Sequence, residues 1–460
     1  MVGINIAITL FLLILIAFTL LTLIYLVSKE LLSLLFSGYI QRKKTRLRSL
    51  IWQLDMAGEE KEKKVLRESI EKSKLGSTKV ILEMIPQTAR ETKNFLVAIL
   101  EERGLVKKYV RSLGEKNSKR RAEAVEILGL IGAAVAVPSL FKLLNNSNPA
   151  VRQKVAKALA EIGDERAIAP LLSQLREPQW GELSEIATAV LSFGKKAESQ
   201  VLELLDDSSS TARYWAAEIL GKLRSKRAVE GLMKSLKDEK ANIRAKSANA
   251  LGEIKDLRVL DALAKACSDK SWFVRENAVE ALGNILEEPQ SPSDTSFIVS
   301  ILVFLLGDRE WVVREKAAEA LLKGDRFLVV PSLTKSLSQD DRKVAYEAAE
   351  MLGRLRAKAA FGALVTSLEA DDPNLRAAAA EALGKLEDLK ATFYLIPLLD
   401  DGEWFVQERV AKALGELGDR KALDALYKAT TSKNWWVRSR AKQAVKIILQ
   451  KTEMKSQPVS

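Results

Sequence analysis

Along most of the chain, apolar residues recur at three- and four-residue steps, the spacing that gathers them on one face of an α-helix. Between Asp256 and Glu287, Val259, Leu260, Leu263, Ala266 and Cys267 form one such stripe, and Val274, Ala278, Ala281, Leu282 and Ile285 form a second. A short polar turn separates them, so the unit predicts two antiparallel helices. The unit then repeats. WFVRENAVEALG begins at Trp272, WVVREKAAEALL at Trp311, PNLRAAAAEALG at Pro373, WFVQERVAKALG at Trp404 and WWVRSRAKQAVK at Trp435. Looser copies begin at Ser118, Pro149, Trp180, Ser210, Ala241 and Arg342, which makes eleven. The fourth residues of these copies form a marker column: Arg121, Arg152, Leu183, Arg213, Arg244, Arg275, Arg314, Ala345, Arg376, Gln407 and Arg438. Their spacing is 31 residues, except for 30 before Arg213 and 39 before Arg314. A fixed period of this size marks a repeat architecture, so the expected fold is all-α, a solenoid of about eleven helix pairs.

One stretch departs from the amphipathic pattern. Met1 to Ser28 carries no charged side chain, and Ile4 to Val27 is almost continuously apolar. As a helix it reaches about 36 Å, enough to cross a bilayer core with some tilt. The stretch therefore predicts one N-terminal transmembrane helix; it lacks the basic leader, short apolar core and cleavage site of a signal peptide. Arg42, Lys43, Lys44, Arg46 and Arg48 follow it, and excess positive charge stays on the cytoplasmic side. The expected topology is single-pass in the cell (inner) membrane, with the N-terminus outside and the repeats cytoplasmic. The same five residues are also candidates for contact with anionic headgroups. Organisation along the chain then reads as an anchor with a juxtamembrane extension over 1–38, a basic then charged helical region over 39–103 suited to cap the array, repeats over 104–450 and a polar tail over 451–460.

Within the repeats, Asp372 before Pro373, Ser271 before Trp272 and Asn434 before Trp435 have the chemistry of helix N-caps. The second helix of each unit thus begins at the Trp/Pro position. Eight residues after the marker, glycine recurs at Gly129, Gly221, Gly252, Gly283, Gly353, Gly384 and Gly415. Glycine inside a helix is unfavourable by up to about 1 kcal/mol relative to alanine, which implies close helix packing there. The longer interval inserts eight residues around EEPQSPSDT, 287 to 295, whose composition predicts an exposed loop.

Charge narrows the function. The net charge of +12 is concentrated in residues 1–120, with 22 Lys and Arg against 12 Asp and Glu; the remaining residues hold 50 against 48. A near-neutral array argues against nucleic-acid binding. Histidine is absent, which excludes His-based triads and His-liganded metal centres. The single cysteine, Cys267, stands where other copies carry leucine and reads as core. No catalytic, cofactor or metal site is expected.

The stretches VRQKVAKALAEIGDERAIAPLL from Val151, IRAKSANALGEI from Ile243 and LRAAAAEALGKL from Leu375 resemble the HEAT-repeat family, in particular the bacterial branch related to the HEAT-like repeats of phycobilisome bilin lyases. The resemblance implies a right-handed solenoid whose Arg-bearing helix lines the concave face. It also implies that an acidic residue in the preceding turn pairs with the arginine in a ladder. Here Asp207, Asp238, Asp269 and Asp308 stand six residues before Arg213, Arg244, Arg275 and Arg314, and Asp401 stands six before Gln407. Carboxylates such as Glu218, Glu319, Glu350 and Glu381 precede Lys222, Lys323, Arg354 and Lys385 by four, the favourable in-helix order.

The remaining candidate surface is aromatic. Trp180, Trp272, Trp311, Trp404 and Trp435 share the helix-start column, and Phe273, Phe405 and Trp436 each follow a column tryptophan. Tryptophan in the first turn of a helix is seldom fully buried and is enriched in binding hot spots; packing on the neighbouring turn is the competing role. The expected function is a membrane-anchored cytoplasmic scaffold for partner proteins. The alternatives are a bilin-lyase-like or other cofactor-handling protein and a nucleic-acid-binding solenoid.

Overall fold

The computed structural model describes residues 2–73, 77–146, 148–176, 183–288 and 291–456, with the side chains of 2–19, 31–36, 77 and 452–456 outside the description. Among the described residues every regular element is helical. They fall into two compact units, Met1–Gln174 with Gln179–Phe193, and Leu175–Pro178 with Gly194–Ser460.

The first unit opens with α1 (Val2–Met56), α2 (Glu60–Glu71), α3 (Ser77–Met84) and α4 (Arg90–Glu102). The last turns of α1 bury Leu47, Ile51 and Leu54 against the other three helices, whose Leu66, Ile70, Val80, Ile81 and Leu96 complete a small core. One face of α3 rests on the second helix of the first repeat, Ser118–Ile131. The helices of region 39–103 thus pack on one another and against the first repeat. Its first helix does not start there: α1 runs without a break through Tyr39, over 55 residues. Among the residues searched, those described, no helix is long and apolar enough to cross a membrane. The stretch expected to do so lies, up to Thr19, outside the described side chains; from Leu20 to Val27 the described ones are exposed.

Eleven helix pairs follow among the described residues. Their second helices are Ser118–Ile131, Pro149–Ile162 and Leu183–Leu191 in the first unit, and Ser210–Lys222, Ala241–Ile254, Trp272–Leu286, Trp311–Lys323, Arg342–Arg354, Pro373–Lys385, Trp404–Leu417 and Trp435–Ser456 in the second. First helices are mostly seven residues led in by a turn of 3-10 helix, as in Leu257–Val259 followed by Leu260–Ala266. Side chains cap the second helices at Asn148, Asp372 and Asn434, each accepting from a backbone N–H two residues on. Ser271 makes no such bond; its own N–H is held by the Asp269 carboxylate at 2.8 Å.

Consecutive second helices touch where the glycine column meets alanine. A Cβ placed on Gly129, Gly221, Gly252, Gly283, Gly353, Gly384 or Gly415 would come within 2.5–2.9 Å of Ala158, Ala250, Ala281, Ala320, Ala382, Ala413 or Ala444 of the next helix. That separation is below any real Cβ contact, so glycine sets the helix-to-helix distance. From Ser210 onward one consecutive pair departs from this, with Leu322 of the seventh repeat in the glycine column and Met351 of the eighth in the alanine column. Direct contact between second helices, which joins every other consecutive pair from Ser210 onward, is nearly absent there. The Arg342–Arg354 helix packs instead on Pro292–Leu305 and Arg326–Ser336.

The inserted residues are not all loop, as their composition suggests. Ser291 caps a helix that begins at Pro292, accepting from the N–H of Asp294, and Thr295 is buried. The insertion therefore lengthens the first helix of the seventh repeat to 14 residues. Ser-Pro-Ser-Asp reads equally as loop or as helix start, and the apolar run from Phe297 decides for the helix.

Replacing Gly252 with alanine is expected to wedge its helix from Ala281 and to lower stability by about 1–3 kcal/mol, the usual result of overpacking. Denaturant unfolding of the variant beside the parent checks this; an unchanged midpoint would refute the close approach.

Candidate functional site

The marker arginines lie between repeats. Arg244 donates through Nη1 to the backbone carbonyls of Asp238 and Glu239, at 2.8 and 3.1 Å, so it clasps its own preceding turn. Its Nε and Nη2 donate to both oxygens of Asp269, at 2.8 Å each, in the following repeat. The same fork joins Arg213 to Asp238, Arg275 to Asp308 and Arg376 to Asp401, with Nε distances of 2.7, 2.7 and 2.9 Å. Each aspartate also accepts the backbone N–H two residues further on, at Lys240, Ser271, Glu310 and Glu403. One carboxylate thereby caps its own turn and receives the arginine of the repeat before.

This corrects the expected pairing of Arg213, Arg244, Arg275 and Arg314 with the aspartates six residues ahead of them. Those aspartates offer only carbonyls to their own arginine, and for Arg213, Arg244 and Arg275 the carboxylate comes from the next turn. Asp207, at the start of the series, pairs with Arg176 at 2.8 Å, because the marker position one repeat earlier is Leu183. The new register explains the gaps. Ala345 faces a turn with Ala370 in the aspartate position, and Gln407 a turn with Ser432. Gln407 keeps the clasp of its own turn, donating to the Asp401 carbonyl at 2.5 Å.

The rungs are largely buried, with side-chain exposures of 6% and 8% for Arg275 and Asp308. Burial alone would raise the carboxyl pKa of Asp238, Asp269, Asp308 and Asp401. The guanidinium and backbone N–H bonds outweigh it and hold all four below the ordinary value.

The other charges of the second helices also pair mainly across repeats. Glu218 meets Lys246 at 2.5 Å, Lys222 meets Glu253 at 2.5 Å and Glu381 meets Lys412 at 2.8 Å. Of the four in-helix pairs expected, only Glu381 with Lys385 forms among the described contacts, at 3.1 Å. Neighbouring helices lie close enough for the lateral partner to win. Cys267 is core, and burial pushes its thiol up to about 12, so it stays protonated at neutral pH.

Each described tryptophan of the column opens a second helix and is substantially open to solvent. The exposures are 45% for Trp272, 68% for Trp311, 46% for Trp404 and 58% for Trp435; Trp180 lies outside the described residues. Their aromatic contacts run along the chain, not to a neighbouring repeat. Trp272 stacks edge-on with Phe273, Trp404 with Phe405 and Trp435 with Trp436, with centroids 5.9, 6.0 and 4.7 Å apart. Periodicity did not mark the exposed Phe304, Phe327 and Phe393, which sit on first helices at positions that share no column.

Between Trp311 and Pro373 the same edge carries Arg342 in place of an aromatic residue, where the seventh and eighth second helices stand apart. A cavity of about 550 Å³ opens there. Arg309, Arg314, Arg342 and Lys343 line it against Glu347 and Asp372.

A profile of HEAT repeats matches residues 107–192, 198–283, 330–404 and 394–453. The chain belongs to the HEAT-repeat family. The matched stretches leave out both helices of the seventh repeat of this HEAT protein. No curated protein matches the chain. Solved structures similar to it include Kap121p bound to the extreme C-terminus of the protein phosphatase Cdc14p, at 13% identity and TM-score 0.49, covering 88% of this chain and 50% of that one. Kap95p from its complex with RanGDP is 12% identical with a TM-score of 0.45, over 88% of this chain and 61% of that one. An engineered protein is 23% identical with a TM-score of 0.31, over 75% of this chain and 98% of that one. The family assignment rests on the profile.

Two outcomes test the rungs. Asp308→Ala strands a buried guanidinium and is expected to remove about 3–5 kcal/mol, whereas Arg275→Met with Asp308→Leu removes much less. A calorimetric comparison of the three proteins measures the difference. The depressed aspartates also stabilise the fold fully above their unfolded pKa of about 3.9, and that stability is lost as pH falls through the lower folded values. The melting temperature is therefore expected to drop as pH falls below about 4, and to drop less in the double variant.

Proposed function

We propose that this HEAT-repeat chain is a membrane-anchored scaffold, not an enzyme, that holds partner proteins along the edge where its second helices begin. The observation that carries the reading is the solvent exposure of Trp272, Trp311, Trp404 and Trp435 at the first residue of their helices. Aromatic side chains left open in a column are poor at stabilising the chain that bears them and well suited to anchoring another. Phe273, Phe405 and Trp436 widen that surface, and Trp180 extends the column in the sequence.

The anchor is the apolar run from Ile4 to Val27, and the basic residues after it set its orientation, with the repeats on the cytoplasmic side of the inner membrane. Of those residues Arg48 is engaged by Glu83 at 2.6 Å and Lys43 lies 4.8 Å over the Tyr39 ring. Arg42, Lys44 and Arg46 are therefore the better candidates for headgroup contact. The bilin-lyase-like alternative rests on sequence resemblance alone, and an added bilin is expected to show no absorbance shift with the purified protein. The nucleic-acid alternative meets carboxylates such as Glu319 and Glu350 on the second helices, and salt-sensitive DNA binding by the array would revive it.

A photo-crosslinking residue placed at Trp272 or Trp311 in intact membranes is expected to give a discrete protein adduct, and one at Glu230 on a first helix none. Alanine at Trp272, Trp311 and Trp404 together should abolish partner capture with helical circular dichroism unchanged; collapse of the fold would show the column to be structural. The full chain is expected to stay in the membrane pellet after alkaline carbonate washing, and a chain lacking residues 2–36 to be released.

A further inference from the structure

Between Arg213 and Arg376 the ladder has one rung whose arginine is in place and whose aspartate is missing. Arg314 clasps its own turn as the others do, donating through Nη1 to the carbonyls of Asp308 and Arg309 at 2.9 and 3.3 Å. Twenty-five residues on, where Arg213, Arg244 and Arg376 find Asp238, Asp269 and Asp401, the sequence after Arg314 carries Gln339. The turn of the eighth repeat is held without that aspartate, because Asp341 caps it by accepting from the N–H groups of Lys343 and Val344. Arg314 receives a single longer contact instead, Nε to Glu347 at 3.3 Å. Burial, followed by the charge of Glu350, raises the Glu347 carboxyl pKa, although Arg314 lowers it.

The rung also faces open space. With Leu322 and Met351 in the contact columns, the two second helices cannot close as the glycine-bearing pairs do, and the cavity of about 550 Å³ lies over Arg314. Arg342 and Lys343 on its rim are exposed and have no carboxylate partner among the described contacts. An exposed tryptophan, Trp311, begins the helix on one side.

We propose that this gap is a receptor site for an acidic segment of a partner protein, one of whose Asp or Glu carboxylates completes the Arg314 rung from outside. The inference rests on the edge being the partner-binding surface and names the partner's chemistry at its centre. A carboxylate is favoured over a phosphate because the identical guanidinium fork holds a carboxylate in four other rungs of this chain. Arg342 and Lys343 attract neighbouring acidic residues, and Trp311 offers an apolar contact beside them. A bound segment would also tie together the two helices that lack direct packing.

The test uses the full chain in detergent and a short fluorescein-labelled peptide of alternating glutamate and leucine, read by anisotropy. Arg342→Ala with Lys343→Ala removes only exposed charge and is expected to weaken binding about tenfold or more. Gln339→Asp supplies the missing carboxylate internally; it is expected to weaken binding similarly and to raise the melting temperature. Peptide affinity unchanged in both variants overturns the proposal, as does tripolyphosphate binding more tightly than the peptide and displacing it, which would make the gap a phosphate site. Crosslinking at Trp272 is independent of these variants: adducts there without peptide binding sink this inference alone, whereas loss of adducts sinks the edge itself.

Discussion

The distance between consecutive second helices governs this structure. Only glycine against alanine lets them approach as closely as they do, and the rest of the architecture follows from that approach. At that separation a guanidinium anchored in one turn by Nη1 reaches the carboxylate of the next with Nε and Nη2. Lysines and glutamates on neighbouring helices then find each other more readily than partners on their own helix. Where the small residues are lost, at Leu322 and Met351, contact and rung fail in the same place. Packing geometry and electrostatics are one design here, with glycine as its precondition.

Much of the fold was legible because a repeat states its rule many times over. The 31-residue period, the helix starts and the glycine column each located an element, and the helix pairs stand where the apolar stripes put them. The rung register was legible too, but in a different comparison. Reading Asp238 against Arg244, its near neighbour in sequence, suggested a pair within one repeat. Comparing positions 25 apart shows Ala370 in the aspartate position where Ala345 replaces arginine, and Ser432 where Gln407 does. The carboxylate belongs to the neighbour because its own arginine is already bound to the backbone beside it. Exposure of the tryptophans was not legible, since a first-turn aromatic fits solvent or a neighbouring turn equally well. The insertion was misread for a related reason: its capping residues also compose loops, and only the apolar run after them carries the helix.

The regular and irregular parts of the array divide its work. Rungs that close internally spend their charges on stability and leave little to offer a partner. The seventh and eighth repeats keep the arginine, lose the aspartate and stand open, so that unspent charge is exposed beside an aromatic edge. A repeat protein can specialise one site in this way with a few substitutions, because each repeat answers only to its neighbours.

The reach of the rungs carries a consequence for how the chain acquires its structure. Arg244 and Asp269 are 25 residues apart, and even across the insertion Arg275 and Asp308 are only 33 apart. Contacts this local keep the entropy of loop closure small and favour rapid folding. During synthesis each rung can lock as soon as the next helix pair leaves the ribosome, without waiting for the distant C-terminus. Pulled from one end, the same ladder should yield in steps, one rung at a time, and re-form in the reverse order when the load is released.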